Sequence, residues 1–217
     1  MNMKRMLITL IGLLLAAATP AMAADPDTSL ADRTPLMYAS IDAGVSIVPD
    51  RDVRFFRLPS TLENDTGWTV GAEIGSQATE HLRFGLSVLY NRFKTSSVQI
   101  WPNPIPKSGG QVDMVRPIWN FYYDFSFLDE FLRPYVGVGL GAVWAQFDST
   151  SLGYGETSDW GLAFVAHAGT HIALTDMWLL KVGYRYNTTG SLWNDQENFI
   201  FGNISSHDFI AGVRMDF

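Results

Sequence analysis

The chain has 217 residues, no cysteine and a formal net charge of −7, and the length fits one domain. The acidic balance of 22 Asp and Glu against 15 Lys and Arg argues against nucleic acid as a partner. Because no disulfide can form, core packing or membrane insertion must supply the stability.

The first 23 residues read as a secretory signal peptide. Lys4 and Arg5 form a positive n-region, residues 6–18 form an apolar core, and Ala21-Met22-Ala23 is an A-x-A cleavage site. The core is short of the roughly 20 residues of a spanning helix, which disfavours a transmembrane anchor. We therefore expect a signal peptide at 1–23, a periplasmic N-terminal lead-in at 24–35, and one domain at 36–217 of an exported protein.

Apolar and polar residues alternate in eight segments of that domain, as they do in strands with two different faces. In the first segment Ile41 and Val45 lie on one face, and Asp42 and Ser46 lie on the other. The predicted strands are residues 37–47, 67–77, a third starting at 82, then 112–125, 135–146, 160–172, 178–186 and 207–217.

The connections between these segments alternate in length. Those at 76–81, 126–133 and 174–177 are short. Those at 48–66, 95–111, 147–159 and 187–206 are long and rich in Gly, Pro, Asn, Asp and Ser. Short turns on one side and long loops on the other are the layout of an outer-membrane barrel, and an even strand number places both termini on the periplasmic side.

A soluble eight-stranded barrel also alternates, but it keeps its apolar residues inside. Here one face is continuously apolar and the other carries charge, glycine and serine. A narrow apolar core could not hold so many charges, so a polar interior behind a lipid-facing band is favoured. The prediction is an all-β, eight-stranded antiparallel up-and-down transmembrane β-barrel. Aromatic residues expected at its interfaces are Trp68, Tyr90, Trp119, Tyr135, Trp144, Trp160, Trp178 and Tyr186.

Three stretches resemble the small OmpA-like, OmpX-like and opacity-type outer-membrane barrels. They are Arg133-Pro-Tyr-Val-Gly-Val-Gly-Leu-Gly, Leu174-Thr-Asp-Met-Trp with Val182-Gly-Tyr-Arg-Tyr, and the last strand ending in Phe217. The resemblance implies the outer membrane of a Gram-negative bacterium, and no peptidoglycan-binding domain is expected after Phe217. It also implies a C-terminal assembly signal for the barrel-assembly machinery, which we assign to Phe209, Val213, Met215 and Phe217.

Three motifs carry little chemistry in this setting. Gly137-Val-Gly-Leu-Gly-Ala142 matches a dinucleotide fingerprint, but the strand pattern continues through it, where the fingerprint needs a strand-to-helix turn. His167 and His171 share a strand face about 13 Å apart, too far for one metal ion. Ser206-His207 offers a nucleophile and a base at the outer rim, but the spacing of these residues does not by itself indicate a catalytic triad. No cofactor, metal or catalytic residue is predicted.

Charged residues of both signs fall on the interior face. At mid-height these are two acids and two bases, with more charges lower down, and mixed signs in a narrow lumen indicate ion-pair networks. The network is predicted to comprise Asp42, Glu73, Arg116, Arg185, Arg83, Asp124, Lys181 and Arg214. Its role is either structural or that of a gate whose re-pairing opens a small pore.

The long loops are the expected place for any specific activity. Arginine beside exposed aromatics is typical of binding hot spots, and arginine near the outer leaflet equally suits lipopolysaccharide phosphate. Candidate contacts are Arg54, Phe55, Phe56 and Trp101. The predicted function is an envelope-structural or adhesin-like barrel, with outer-membrane lipid, lipopolysaccharide and a host or surface ligand as partners. The alternatives are a small-solute porin and a lipid A-modifying enzyme.

Overall fold

The computed structural model describes residues 37–49, 51–55, 58–100, 103–125, 131–148, 156–190 and 203–217. The predicted signal peptide and lead-in lie outside these residues. Within them no helix is long and apolar enough to cross a membrane. The strands are β1 Met37–Ile47, β2 Arg51–Phe55, β3 Leu58–Asn64, β4 Gly67–Gln77, β5 Leu82–Ile100, β6 Asn103–Asp124, β7 Leu132–Asp148, β8 Glu156–Ala173, β9 Trp178–Thr189 and β10 Ser205–Asp216.

Eight of these strands close into an antiparallel barrel in the order β1, β4, β5, β6, β7, β8, β9, β10. The first and last strands complete the ring, with Tyr38 opposite Asp216 and Ile47 opposite His207. The predicted eight-stranded up-and-down barrel is confirmed. Closure leaves no open edge in the wall, which a sheet exposed to lipid requires because nothing there can satisfy free backbone groups.

The two faces of the wall have opposite chemistry. On β1 the side chain of Ile41 is 62% exposed, whereas its neighbour Asp42 is 6% exposed. The same inversion holds on β7 and β8, where Val138 and Leu162 face outward and His167 faces inward. Large apolar side chains therefore cover the outside and charges lie inside, which is the arrangement of a barrel surrounded by lipid.

Three of the predicted long loops are shorter than expected, because the strands continue into them. The predicted loop at 95–111 is mostly strand: β5 runs to Ile100 and β6 begins at Asn103. Likewise β7 reaches Asp148 and β8 starts at Glu156, and β9 reaches Thr189 whereas β10 starts at Ser205. The prolines that suggested a loop, Pro104 and Pro106, pair only with β5 in the described structure, and proline is tolerated on such an edge.

The first long loop also contains strands that the sequence did not predict. Within 48–66, β2 and β3 form a hairpin, and β3 pairs with the far end of β5, from Ser60 opposite Ile100 to Asn64 opposite Thr95. Strands β2, β3, β5 and β6 thus form a sheet that extends the barrel wall beyond the membrane-spanning part.

Candidate functional site

Two ion pairs lie at the periplasmic end of the lumen. Arg83 on β5 meets Asp124 on β6, with Nε 2.7 Å from Oδ2 and 3.0 Å from Oδ1. Arg214 and Asp216 on β10 are joined by an Nε–Oδ1 contact of 2.5 Å. Both pairs are buried, so each charge depends on its partner for compensation.

Tyrosine rings surround these two arginines. The guanidinium of Arg83 lies 4.1 Å from the ring centre of Tyr122, 5.1 Å from Tyr135 and 5.2 Å from Tyr38. The guanidinium of Arg214 lies 4.3 Å from the ring centre of Tyr38. Tyr135 was predicted at the membrane interface, but it is 2% exposed and points inward. Its place in the alternation of β7 puts it on the glycine face, where its ring fills the space beside Arg83.

Glu73 is held mainly by neutral donors. The hydroxyls of Tyr38 and Tyr122 each donate to its carboxylate at 2.6 Å, and the amide of Asn120 donates at 3.2 Å. Arg83 stands 4.0 Å away, at the limit of an ion pair. Three hydrogen bonds thus compensate most of the buried charge of Glu73.

Asp42 and Arg185 form the centre of the lumen. Lys181 Nζ is 2.9 Å from Asp42 Oδ2, and Arg185 Nη2 is 3.3 Å from Asp42 Oδ1. Arg185 also reaches Asp208, with Nε 3.4 Å from Oδ2. One arginine is therefore shared by two carboxylates on adjoining elements of the wall, and it links strands β1, β9 and β10.

Asp208 is the most heavily bonded carboxylate of the interior, and sequence reasoning missed it. Besides Arg185, four neutral side chains donate to it. These donors are Ser46 at 2.7 Å, Asn187 at 2.8 Å, Asn91 at 3.0 Å and Ser206 at 3.1 Å. They come from β1, β5, β9 and β10, so a single acid fastens four strands together.

Arg116 departs from the predicted network, because no carboxylate lies within 4.0 Å of it among the described residues. Its Nη1 donates to Asn91 Oδ1 at 2.5 Å and its Nη2 contacts Met114 Sδ at 3.2 Å. Asn91 in turn donates to Asp208, so an amide joins this arginine to an acid indirectly. Arg116 does not pair directly with Glu73 of the predicted network, because Glu73 lies lower in the barrel, among tyrosines.

The formal charges of the buried acids and bases in this network sum to zero. The five acids are Asp42, Glu73, Asp124, Asp208 and Asp216, and the five bases are Arg83, Arg116, Lys181, Arg185 and Arg214. A balanced set avoids the cost of uncompensated like charges in a narrow space of low dielectric.

An apolar cluster lies inside the extracellular half of the lumen, beside polar residues such as Asn91 and Asp208, which corrects the expectation of a polar interior throughout. Its side chains are at most 6% exposed and pack into one cluster across the barrel. The cluster, called here the apolar seal, comprises Val48, Leu89, Phe93, Val112, Met114, Ile118, Val143, Ala145, Ala163, Val165 and Ile204. An eight-stranded barrel is just narrow enough for side chains to fill it, and these side chains close it.

The glycines of β7 make room inside the barrel. A Cβ on Gly137 would lie 2.3 Å from Cδ1 of Tyr122, and one on Gly139 would lie 2.3 Å from Oδ1 of Asn120. The strand runs unbroken through this stretch. The dinucleotide-like spacing of these glycines therefore reflects packing against the neighbouring strand β6.

The histidines and the serine considered as catalytic or metal-binding candidates either lie on opposite sides of the barrel wall or contact other side chains. Ser206 points inward to Asp208, whereas His207 points outward and accepts or donates a 2.6 Å hydrogen bond with Tyr184. His167 bonds to Asn120 at 3.1 Å, and His171 stacks on Tyr135 at 4.6 Å. Among the described residues no group of three or more His, Cys, Asp or Glu is placed to hold a metal ion.

The residues assigned to the assembly signal lie on β10 and at its end. Phe209 is 55% exposed on the outer face, and Val213 and Met215 share that face. Phe217 closes the ring: its amide donates to Met37 O at 2.9 Å and its carbonyl accepts from Met37 N at 3.2 Å. Recognition by the assembly machinery remains a prediction.

The candidate loop contacts are only partly described. The backbone of Arg54 and Phe55 belongs to β2. Phe56 and Trp101 lie outside the described residues. These four residues therefore stay predictions as ligand contacts, and only the strand that carries the first two is defined.

The outer face carries aromatic residues near its extracellular edge. Trp68 packs on Tyr90 with 5.1 Å between ring centres, and Trp144 packs on Trp160 at 6.3 Å. Tyr90 and Arg92 both bond to Asp113, at 2.7 and 2.5 Å. Such amphipathic rings mark the level where acyl chains meet headgroups.

A charge-filled lumen inside an apolar wall defines an integral β-barrel membrane protein. The family described as outer membrane protein beta-barrel domain matches residues 9–217, and the chain belongs to it. The protein is therefore an integral protein of the Gram-negative outer membrane.

Solved structures share the fold at low sequence identity. Neisserial surface protein A is 22% identical with a TM-score of 0.58, covering 83% of this chain and 97% of its own. OprG from Pseudomonas aeruginosa is 13% identical with a TM-score of 0.52, covering 84% and 97%. No curated protein matches the chain.

Proposed function

We propose that this protein is a closed barrel that acts at the cell surface through its extracellular sheet, as an envelope-structural or adhesin-like protein. One observation carries the proposal. Strands β5 and β6 have 19 and 22 residues, about twice the 9–11 residues that cross a bilayer. The excess length, joined by β2 and β3, forms a sheet of paired strands outside the membrane, called here the platform.

The platform supports surface interaction because ordered strands present side chains at low entropic cost. A binding partner that meets a preformed sheet does not have to order a loop. Arg54 and Phe55 lie on β2, the outermost strand of this sheet among the described residues. A host or surface ligand at β2 and at the β5–β6 hairpin is the partner that this arrangement favours.

The first rival function is a small-solute porin, which needs a continuous aqueous path. The apolar seal and the ion-pair network, whose charges sum to zero, fill the lumen instead. Re-pairing of Arg185 between Asp42 and Asp208 would leave the apolar seal in place. A porin is therefore disfavoured, and steady conductance would be its signature.

The second rival is a lipid A-modifying enzyme. Such an enzyme needs a nucleophile and a base within hydrogen-bond reach on the same face. Ser206 and His207 point to opposite faces of β10, so the strand itself prevents that dyad. Mass spectrometry of lipid A from cells with and without the protein tests this rival, and we expect identical lipid A.

The proposed function is tested by trimming the platform. Joining Thr95 to Gly110, which already pair, through an Asn-Gly turn removes the end of the β5–β6 hairpin. The trimmed barrel should keep its heat-modifiable gel mobility and lose adhesion of expressing cells to host cells or matrix. The matched control joins Asp148 to Glu156, which also pair, and should retain adhesion. If the trimmed barrel adheres as well as the native protein, the platform is not the functional site.

A further inference from the structure

A groove of about 460 Å³ crosses the outer face of the barrel on strands β10, β1, β4 and β5. That volume lies within the roughly 300–1,000 Å³ of sites that bind small molecules. The groove exists because three of its lining residues are alanines, whereas larger side chains form its borders. The alanines are Ala43, Ala72 and Ala211, and the bordering residues are Ile41, Val70 and Tyr90.

The register of the strands fixes the height of this groove. Ala43 lies opposite Ala211 on one side and Val70 on the other. The next row toward the outside contains Val45, opposite Trp68. The groove therefore begins two residues below the tryptophan, about 7 Å along the strand. Tryptophan marks the interface, so the groove opens into the outer leaflet.

A fixed arginine stands at the outer end of the groove, two residues beyond Tyr90. Arg92 makes a bidentate contact with Asp113, at 2.5 Å from Nε and 3.1 Å from Nη2. The Tyr90 hydroxyl and the Gln111 amide donate to the same carboxylate, at 2.7 and 2.9 Å. The guanidinium lies 6.0 Å from the Trp68 ring centre and 5.8 Å from that of Tyr90. These contacts hold Arg92 in one position.

Arg92 keeps donors for another acceptor. A guanidinium has five N–H groups, more than one carboxylate accepts. A third of its side chain is exposed, whereas Asp113 is almost buried. A phosphate is the acceptor that suits an exposed guanidinium edge at headgroup level. Tyr90 belongs to both features, since its ring borders the groove and its hydroxyl belongs to the Arg92 cluster.

We propose that the groove and Arg92 form a site for one phosphorylated lipid of the outer leaflet, lipid A. One acyl chain lies over the three alanines and a phosphate contacts Arg92. The apolar lining alone would not select a lipid, because every acyl chain nearby is equally apolar. Selection comes from the shape of the groove together with the position of the arginine. This site lies on the membrane wall and does not depend on the extracellular platform.

Native mass spectrometry tests the site on the full-length mature barrel in mild detergent, with added bisphosphorylated lipid A as the probe. We expect one retained lipid per barrel. Ala43→Phe with Ala211→Phe fills the groove and should reduce retention about tenfold, a change of roughly 1.4 kcal/mol. Arg92→Gln should reduce it several-fold and remove the preference for phosphorylated over dephosphorylated lipid A.

Two matched controls lie elsewhere on the protein. Ala166→Phe enlarges an exposed alanine on the lipid-facing side of β8, and Arg133→Gln removes an exposed arginine at the periplasmic end of β7. Both should retain lipid A as the native barrel does. Equal loss in a control and in the groove variant would overturn the proposal. So would equal retention of phosphatidylglycerol, or a barrel dimer in place of bound lipid.

A second measurement avoids dependence on folding of the variants. Lipid A carrying a photoreactive group in one acyl chain should label the native barrel within β10, β1 and β4. Labelling spread evenly around the barrel, β8 included, would contradict the site.

Discussion

Two sets of side chains fill the barrel interior by different chemistry. One is the polar network of ten charged residues with tyrosines and amides, which extends from the periplasmic end as far as Arg116 and Asp208. The other is the apolar seal, whose members Leu89 and Met114 lie beside Arg116 in the extracellular half. The difference separates two roles: the polar network fastens distant strands together in one register, and the apolar seal excludes water.

The comparison predicts different consequences when each set of side chains is damaged. Loss of a charge in the polar network leaves another charge buried alone, which is costly. Loss of volume in the apolar seal leaves a cavity among the side chains that exclude water. Stability should therefore fall most in the first case, and conductance should rise mainly in the second.

The largest loss of stability is expected for Asp208→Ala. This change removes a partner of Arg185 and the indirect partner of Arg116. It also leaves four neutral hydrogen-bond donors without their acceptor. The free energy of unfolding in lipid vesicles should fall by about 3–5 kcal/mol. Asp176→Ala, in an exposed periplasmic turn, is the control and should change little. A loss below about 1 kcal/mol would show that Asp208 does not organise the polar network.

Leu89→Ala should damage the apolar seal. Leu89 is 1% exposed, and Leu→Ala at buried sites costs roughly 2–5 kcal/mol. Planar-bilayer recordings should show small leak currents from this variant, whereas Asp208→Ala should not leak while it stays folded. Leu140→Ala, on the lipid face and 52% exposed, is the control without a leak. Leak from the Asp208 variant alone would reverse the assigned roles of the polar network and the apolar seal.

A smaller effect is expected for Gly137→Ala, which lies beside the polar network. The added methyl group would stand 2.3 Å from the Tyr122 ring and displace this ring, against which Arg83 packs. Overpacking of this kind costs about 1–3 kcal/mol. Gly190→Ala, whose nearest neighbour would be 3.7 Å away, should be nearly neutral. Denaturant titration of the two variants compares them, and equal stability would mean that Tyr122 moves aside freely.

A small effect on stability, no larger than that of Gly137→Ala, is expected from deletion of Phe217, which lies at the periplasmic rim of the barrel. Two backbone hydrogen bonds to Met37 are lost at the barrel rim, a change of roughly 1–3 kcal/mol. If Phe217 also serves as an assembly signal, surface levels at native expression should fall far more than this loss explains. Normal surface levels of the truncated protein would limit its role to ring closure.

The wall of the barrel was predictable because alternation along one strand is a local property. Lipid contact imposes this alternation on every membrane strand, so Ile41 and Asp42 already indicate which face of the strand meets lipid and which faces the lumen. Strand ends were less predictable. Gly and Pro between 95 and 111 favoured a loop, yet pairing that begins in the membrane continues to Ile100.

The lumen was predictable only in part, because its contacts depend on the register between distant strands. Opposite charges on inward positions indicated a network, and Asp42 with Arg185 is one such contact. The role of Asp208 was missed because its donor Ser46 is 162 residues away in sequence. The apolar seal was missed because its members, such as Met114 and Val143, come from different strands and form a cluster only after closure.

The central claim is that the lumen is closed, so that function resides outside it. Single-channel recording of the refolded native barrel in planar bilayers tests this most directly. We predict no steady channel under an applied voltage, with currents appearing only when the apolar seal is disrupted, as in Leu89→Ala. A large and steady conductance from the native protein would contradict the account and assign the barrel to the porins.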